Sequence, residues 1–195
     1  MAIFDPAFQA TMDGEGREWE CVAGDHGGET VWGIARNPNP GWQGWPLVDA
    51  IKTAHPGVNP TPFINADARV VALISIFYRE AYWQAAGCDQ IQDQALATKL
   101  MKMAVNMGVG KAVTWLQRAY NVRSWDHSLT PPGPGPELKI DGHAGPMTLA
   151  AVNAVPPARM LRALQAAADH HYWDICETVP SQRKFADGWL ASVPK

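Results

Sequence analysis

Between Asp13 and Ile34 the chain reads DGEGREWECVAGDHGGETVWGI, with Gly14, Gly16, Gly24, Gly27, Gly28 and Gly33 breaking it repeatedly. No regular element runs through that density of glycine, so the backbone must leave one element, turn, and return within this stretch. The preceding segment, Asp5 to Met12, opens with an N-cap-plus-proline signal and repeats Phe4, Phe8 and Met12 at helical spacing. Glu15, held as Gly14-Glu15-Gly16, therefore falls at a helix end, where the flanking glycines let the carboxylate project into a cleft. From Trp19 to Trp32 the pattern turns strand-like. Cys21-Val22 and Thr30-Val31-Trp32 flank the turn formers Ala23 to Gly28, which predicts an irregular hairpin returning Asp25, Glu29 and Thr30 toward Glu15.

Two carboxylates flanking a bond are what glycoside hydrolysis requires: a protonated acid for the leaving oxygen, and a carboxylate that activates water or stabilises positive charge. The plainer alternatives are a solvated surface charge for Glu15 and, for Asp25, a turn residue bonding its own backbone.

Several stretches together resemble one known family. Glu15-Gly16 followed by Gly24-Asp25-His26-Gly27-Gly28-Glu29-Thr30-Val31-Trp32-Gly33-Ile34 is similar to the E-G-G-Y … N-D-P-G-G-E-T-x-Y-G-I signature of glycoside hydrolase family 108. Tyr78-Arg79-Glu80-Ala81-Tyr82-Trp83 with Ala86-Gly87-Cys88-Asp89 resembles its R-x-x-Y-W-x-x-A-G-C-D segment, and Ala104-Val105-Asn106-Met107-Gly108-Val109-Gly110 its A-V-N-x-G-x-G. Asp141-Gly142-His143-Ala144-Gly145-Pro146-Met147-Thr148-Leu149 resembles the D-G-x-x-G-P-x-T-L of its C-terminal half, and Pro180 to Leu190 its closing helix. The chain departs from the pattern at Arg17, Glu18 and His26, and carries one extra residue between Glu15 and the glycine pair. The resemblance implies a phage-type lysozyme that cuts the bond between N-acetylmuramic acid and N-acetylglucosamine. Glu15, Asp25 and Thr30 take the place of the catalytic Glu, Asp or Cys, and Thr. It further implies a C-terminal half that binds peptidoglycan, with Asp141 in that element, and an Asn106 and Gly108 that line the substrate cleft, although Asn106 reads equally as the C-cap of its helix.

Composition sets limits on partners. At 195 residues the chain is long enough for a well-buried core in one compact domain or two small lobes. A net charge of -3, with no run of Lys and Arg, excludes an electrostatic grip on nucleic acid or anionic membrane and suits a neutral glycan. Three widely spaced cysteines, Cys21, Cys88 and Cys176, read as reduced, buried thiols with no disulfide framework. The segment Met1 to Pro6 lacks a basic and an apolar region of the signal-peptide type, so the expectation is synthesis in the host cytoplasm. Action on the periplasmic wall then needs export, or release through a pore made by a partner protein.

Along the rest of the chain, Gly41 to Pro62 reads as mostly irregular, and Trp32, Trp42 and Trp45 offer faces for sugar stacking or for core packing. Asn65 or Asp67 caps a long helix reaching about Tyr82 and joining two lobes; further helices run from Asp93 to Met107, from Lys111 to about Tyr120, and from Pro157 to about Glu177. Leu129 to Leu138 is a Pro/Gly-rich exposed loop. Asp141 to Pro146 is a tight turn into a helix, and Ser181 starts a last helix stacking Phe185 on Trp189. His170-His171 is not a metal site, since no further ligand set surrounds it and adjacent helical residues face different ways.

The expected fold is mainly α and lysozyme-like, two-lobed, with a small β-hairpin in the N-terminal lobe: residues 1–90 form the catalytic lobe and 91–195 a helical, peptidoglycan-binding lobe. The expected activity is that of an N-acetylmuramidase, monomeric and free of cofactor or metal. Glu15, its pKa raised by partial burial, protonates the glycosidic oxygen, while Asp25 acts with Thr30 on the positive charge or on water. Candidate substrate-binding residues are Glu29, Trp32, Asn106, Gly108 and Asp141, Glu29 being the reserve second carboxylate. A lytic transglycosylase, or a wall-binding module without catalysis, is the alternative.

Overall fold

The described residues of this computed structural model are 1–22, 27–123, 125–126 and 133–186. Helix α1, Phe4–Glu15, forms because Phe4, Ala7, Phe8, Thr11 and Met12 share one buried face. Three two-residue strands follow, β1 Trp19–Glu20, β2 Thr30–Val31 and β3 Ile34–Ala35, paired antiparallel in the order β1-β2-β3. Helices α2 Trp45–Ala54, α3 Thr61–Ala66 and α4 Ala68–Tyr78 come next, and the chain then continues as a π-helical segment, Arg79–Gln84, and a 3-10 turn, Cys88–Gln90. The C-terminal part holds α5 Gln94–Met107, α6 Val109–Asn121, the strand pair β4 Trp125–Asp126 and β5 Gly133–Pro134, α7 Pro146–Ala154, α8 Pro157–Thr178 and a closing 3-10 segment, Pro180–Phe185. The chain is mainly α with one small three-stranded sheet, as its patterning predicts.

The chain folds as two units, Phe4–Ala81, and Met1–Ile3 with Tyr82–Lys195. In the first, Phe4 and Phe8 stack with ring centroids 5.3 Å apart, and Phe8 meets Tyr78 at 5.6 Å. In the second, α5, α6 and α8 pack on one another through side chains closed to solvent, among them Leu100, Met101, Leu116, Met160 and Leu164. Asp93 caps α5 by accepting from the Leu96 N–H at 2.8 Å, and Pro146 starts α7, both at the predicted positions.

Three expectations need correction, and one pair of alternatives is decided. The stretch from Gly41 to Pro62 is not mostly irregular: Trp45–Ala54 is helical, because Pro46 sits in the first turn, where no backbone N–H is needed, and Val48 is fully buried. Asn65 is not a cap; Asp67 alone caps α4, accepting from the Arg69 N–H at 2.9 Å, and that bond together with the Arg69 guanidinium holds its carboxyl at about 2. Of the three thiols only Cys88 is buried, and burial pushes it well above the ordinary thiol range; Cys21 is exposed and Cys176 half-buried. Within Leu129 to Leu138, Gly133–Pro134 is a strand paired with Trp125–Asp126, since proline is tolerated at a sheet edge. The stacking expected of Phe185 on Trp189 lies outside the described residues. Among the described residues no helix is long and apolar enough to cross a membrane.

Candidate active site

Glu15 is the last residue of α1, as its glycine neighbours predict. Gly16 takes φ +88° and returns its N–H to the Met12 carbonyl at 3.0 Å, which ends the helix one residue after the carboxylate. Met12, 1% exposed, anchors that last turn in the core. The Glu15 side chain itself is exposed, so the partial burial expected for it is not supplied by the protein.

The segment just beyond Glu15 is held in place. Asn65 Nδ2 donates to the Arg17 carbonyl at 3.1 Å, the Trp19 N–H donates to Thr61 Oγ1 at 2.9 Å, and the Trp32 N–H donates to the Glu18 carbonyl at 2.9 Å. Three successive residues after the helix exit are thereby tied to α3 and to the hairpin. Thr61 and Asn65 are spaced i, i+4 on one face of α3, a signal the sequence carried but that capping chemistry outweighed.

Thr30 opens β2, opposite Glu20 in β1 and Ala35 in β3, so these three share one face of the sheet. Val31, 0% exposed, turns the other way. The register places the exposed Glu20 carboxylate on Thr30's face, an acidic neighbour that sequence reasoning missed. Between β2 and β3 the whole connection is Trp32-Gly33, with φ +46° and +79°. Two central residues at positive φ make the primed turn that matches strand twist, and in a residue such as Trp32 this conformation costs about 1–2 kcal/mol. Surrounding bonds hold it: Tyr78 Oη donates to the Trp32 carbonyl at 2.6 Å, and Trp32 Nε1 donates to Asn65 Oδ1 at 2.7 Å. At 6% exposed, with its indole N–H engaged, Trp32 is a turn member and not an open sugar-stacking face; Trp45, 3% exposed, is core as well.

Glu29, the residue before Thr30, lies on the opposite face, as strand alternation predicts. Its carboxylate accepts from Trp19 Nε1 at 2.6 Å, Lys52 Nζ at 2.8 Å and Arg36 Nε at 2.8 Å, and Arg36 in turn forks onto Asp49 at 2.6 and 3.2 Å. Burial alone would raise its pKa, yet the bonds from Lys52 and Trp19 and the charges of Lys52 and Arg36 outweigh it and hold Glu29 below the ordinary carboxylate value. Both oxygens are thus engaged in anchoring the hairpin to α2, which corrects the reserve role as a second carboxylate. Because the folded pKa is depressed, the stabilisation is complete above the unfolded value of about 4.3 and disappears as pH falls through the folded one. We expect Glu29→Gln to lower unfolding free energy at pH 7 by about 2–3 kcal/mol, since it leaves two cations facing an uncharged amide. The difference from wild type in urea titrations should shrink below about pH 4; an undiminished difference there would contradict the ionised anchor.

Asp25 and His26 lie outside the described residues, and Gly28 beside them takes φ +69°.

In the C-terminal unit, Asn106 Oδ1 accepts from Tyr172 Oη at 3.1 Å, tying α5 to α8. Gly108, at φ +86°, joins α5 to α6, its N–H bonded to the Ala104 carbonyl and its carbonyl accepting from Ala112 N–H, both at 3.0 Å. Asp141 builds a turn: its Oδ1 accepts from Gln117 Nε2 at 2.9 Å and from the His143 N–H at 3.0 Å, bonds that lower its pKa. The organiser of this turn is Gln117, 1% exposed on α6. Its Oε1 accepts the Asp141 and Gly142 N–H groups at 3.0 Å each, while Nε2 also reaches the His143 carbonyl and Thr148 Oγ1 at 3.2 and 3.3 Å. Gln117→Leu keeps the volume and removes all five bonds, so thermal unfolding should register a loss of about 2–3 kcal/mol; an unchanged midpoint would contradict the assignment.

The family model described as Glycosyl hydrolase 108 matches residues 8–108, which contain α1 from Phe8 onward, the three-stranded sheet and the helices through α5. The chain belongs to glycosyl hydrolase family 108. A second model, described as Predicted Peptidoglycan domain, matches residues 111–193. Among solved structures, one titled "Structure of Brucella abortus SagA" matches with a TM-score of 0.59 at 22% identity, covering 96% of this chain and 87% of that one, a likeness of fold. No curated protein matches. For this family 108 chain, a glycoside hydrolase, Glu15, Glu29, Thr30 and Trp32 all lie inside the stretch that the hydrolase model covers, and Asp141 and Gln117 inside the peptidoglycan-domain stretch.

Proposed function

We propose that this family 108 hydrolase is an N-acetylmuramidase that cuts the MurNAc–GlcNAc bond of bacterial peptidoglycan, with Glu15 as the acid. The observation that carries the reading is the pinned helix exit: Glu15 is exposed to an incoming glycan while Arg17, Glu18 and Trp19 just beyond it are fixed by Asn65, Trp32 and Thr61. A bound glycan that displaces water from around the Glu15 carboxyl favours the protonated form that a general acid needs. Asp25 and Thr30 are assigned the other half of the chemistry, stabilising the oxocarbenium-like state or orienting water. If the reaction inverts, Glu15 and Asp25 stand roughly 6.5–9.5 Å apart in the working enzyme, and about 5 Å if it retains. The peptidoglycan-domain match of residues 111–193 supports the polymer as substrate.

The biological setting proposed is phage lysis, with the enzyme reaching the wall through a membrane pore made by a second protein. Mass spectrometry of wall fragments tests the bond and the reaction together. Reducing N-acetylmuramic acid ends are expected; reducing N-acetylglucosamine ends or anhydro ends would overturn the assignment, the latter in favour of a lytic transglycosylase.

A further inference from the structure

We propose that a groove between α6 and α8 binds the free carboxylate at the end of a peptidoglycan peptide stem, a reading that rests on peptidoglycan being the substrate. A cavity of about 270 Å³ lies there, walled by Trp115, Arg118 and Arg123 on one side and by His170 on the other. Its floor is made of alanines, Ala119, Ala163, Ala166 and Ala167, whose short side chains leave depth without offering a polar atom. Neutral sugars, whose hydroxyls seek side-chain acceptors and donors together, find few there. A small methyl-bearing residue fits that floor, and alanine is what ends such stems.

The two guanidiniums supply the charge. Arg118 lies 4.9 Å from the Trp115 ring centroid, and His170 meets the same ring edge-on at 6.0 Å, so the aromatic wall fixes where Arg118 can point. His170 is itself beside Asp174, at 3.6 Å. Among the described residues, Arg123 Nε is buried without a hydrogen-bond partner. A buried donor left unbonded is costly, and a ligand carboxylate is the acceptor that relieves it most, since planar guanidinium and carboxylate match in geometry. Two cations above an apolar floor describe a site for a terminal carboxylate on a small apolar body. The peptidoglycan-domain match covers every residue of this groove.

The test is titration of the full chain with diacetyl-L-Lys-D-Ala-D-Ala and with the same peptide as its C-terminal amide, followed by amide and indole resonances. The free acid should shift Trp115 and Ala166 signals, with the amide binding at least tenfold more weakly, because charge-assisted bonds are roughly twice as strong as neutral ones. Arg123→Gln should weaken the free acid at least tenfold, with Arg123→Lys partly restoring it. Ala166→Leu, at an exposed helical position, should block the groove without disturbing the fold. Equal binding of acid and amide, unchanged binding by Ala166→Leu, shifts confined to other surfaces, or no binding would each overturn the proposal. Hydrolysis of peptide-free glycan strands by the wild type, followed in parallel, reports on the muramidase reading alone, so the two can fail separately.

Discussion

Glu15→Gln is expected to slow the clearing of permeabilised bacterial cells by at least 10²-fold, the lower end of what a positioned general acid contributes. The amide keeps the size and hydrogen-bonding reach of the carboxyl but has no proton to give to the leaving oxygen. Since Glu15 is exposed at the end of α1 and Met12 carries the burial of that turn, the loss should come without change in helical content or melting temperature. A variant that clears cells at the wild-type rate would remove Glu15 from the acid role.

Gly33→Val should cost about 3–4 kcal/mol of unfolding free energy, the sum of forcing a side chain into left-handed backbone and orphaning a buried hydrogen bond. At φ +79° an added Cβ would sit 2.7 Å from Tyr78 Oη, the group that donates to the Trp32 carbonyl. The damage should not stay in the turn. Trp32 holds Asn65 Oδ1, and Asn65 Nδ2 holds the Arg17 carbonyl two residues after Glu15, so activity should fall along with stability. Tyr78→Phe removes only the hydroxyl and should cost about 1–1.5 kcal/mol. Urea unfolding of both variants checks the ordering, and a Gly33→Val protein as stable as the wild type would mean the turn is not under the constraint its geometry implies.

What the sequence revealed, and what it hid, divides by the range of the interactions involved. The exit of α1 at Glu15 was legible because glycine at positive φ is a local signal, and so was the start of α5 near Asp93. Strand alternation correctly set Glu29 apart from Thr30, but the Lys52 and Arg36 partners that occupy it come from elsewhere in the chain. Trp32 looked like a sugar platform because it directly follows the strand that carries Thr30, and only the distant Tyr78 and Asn65 show it to be a turn member. Gln117 was invisible for the same reason: all five of its bonds go to residues 141–148, and a lone glutamine in an amphipathic helix gives no hint of them. Helix α2 was lost in a region dense in proline and glycine, although Pro46 was marking its start.

The proposed role of the helix end and the hairpin is to present one proton-donating carboxyl to a glycosidic oxygen. It is met most directly by comparing Glu15→Gln with wild type on two MurNAc-terminated oligosaccharides, one with a natural sugar leaving group and one with 2,4-dinitrophenolate, which departs without a proton. A loss of at least 10²-fold is expected on the first, and activity within about tenfold of wild type on the second. Equal losses on both would contradict it, because the carboxyl would then be doing something other than protonating the leaving group.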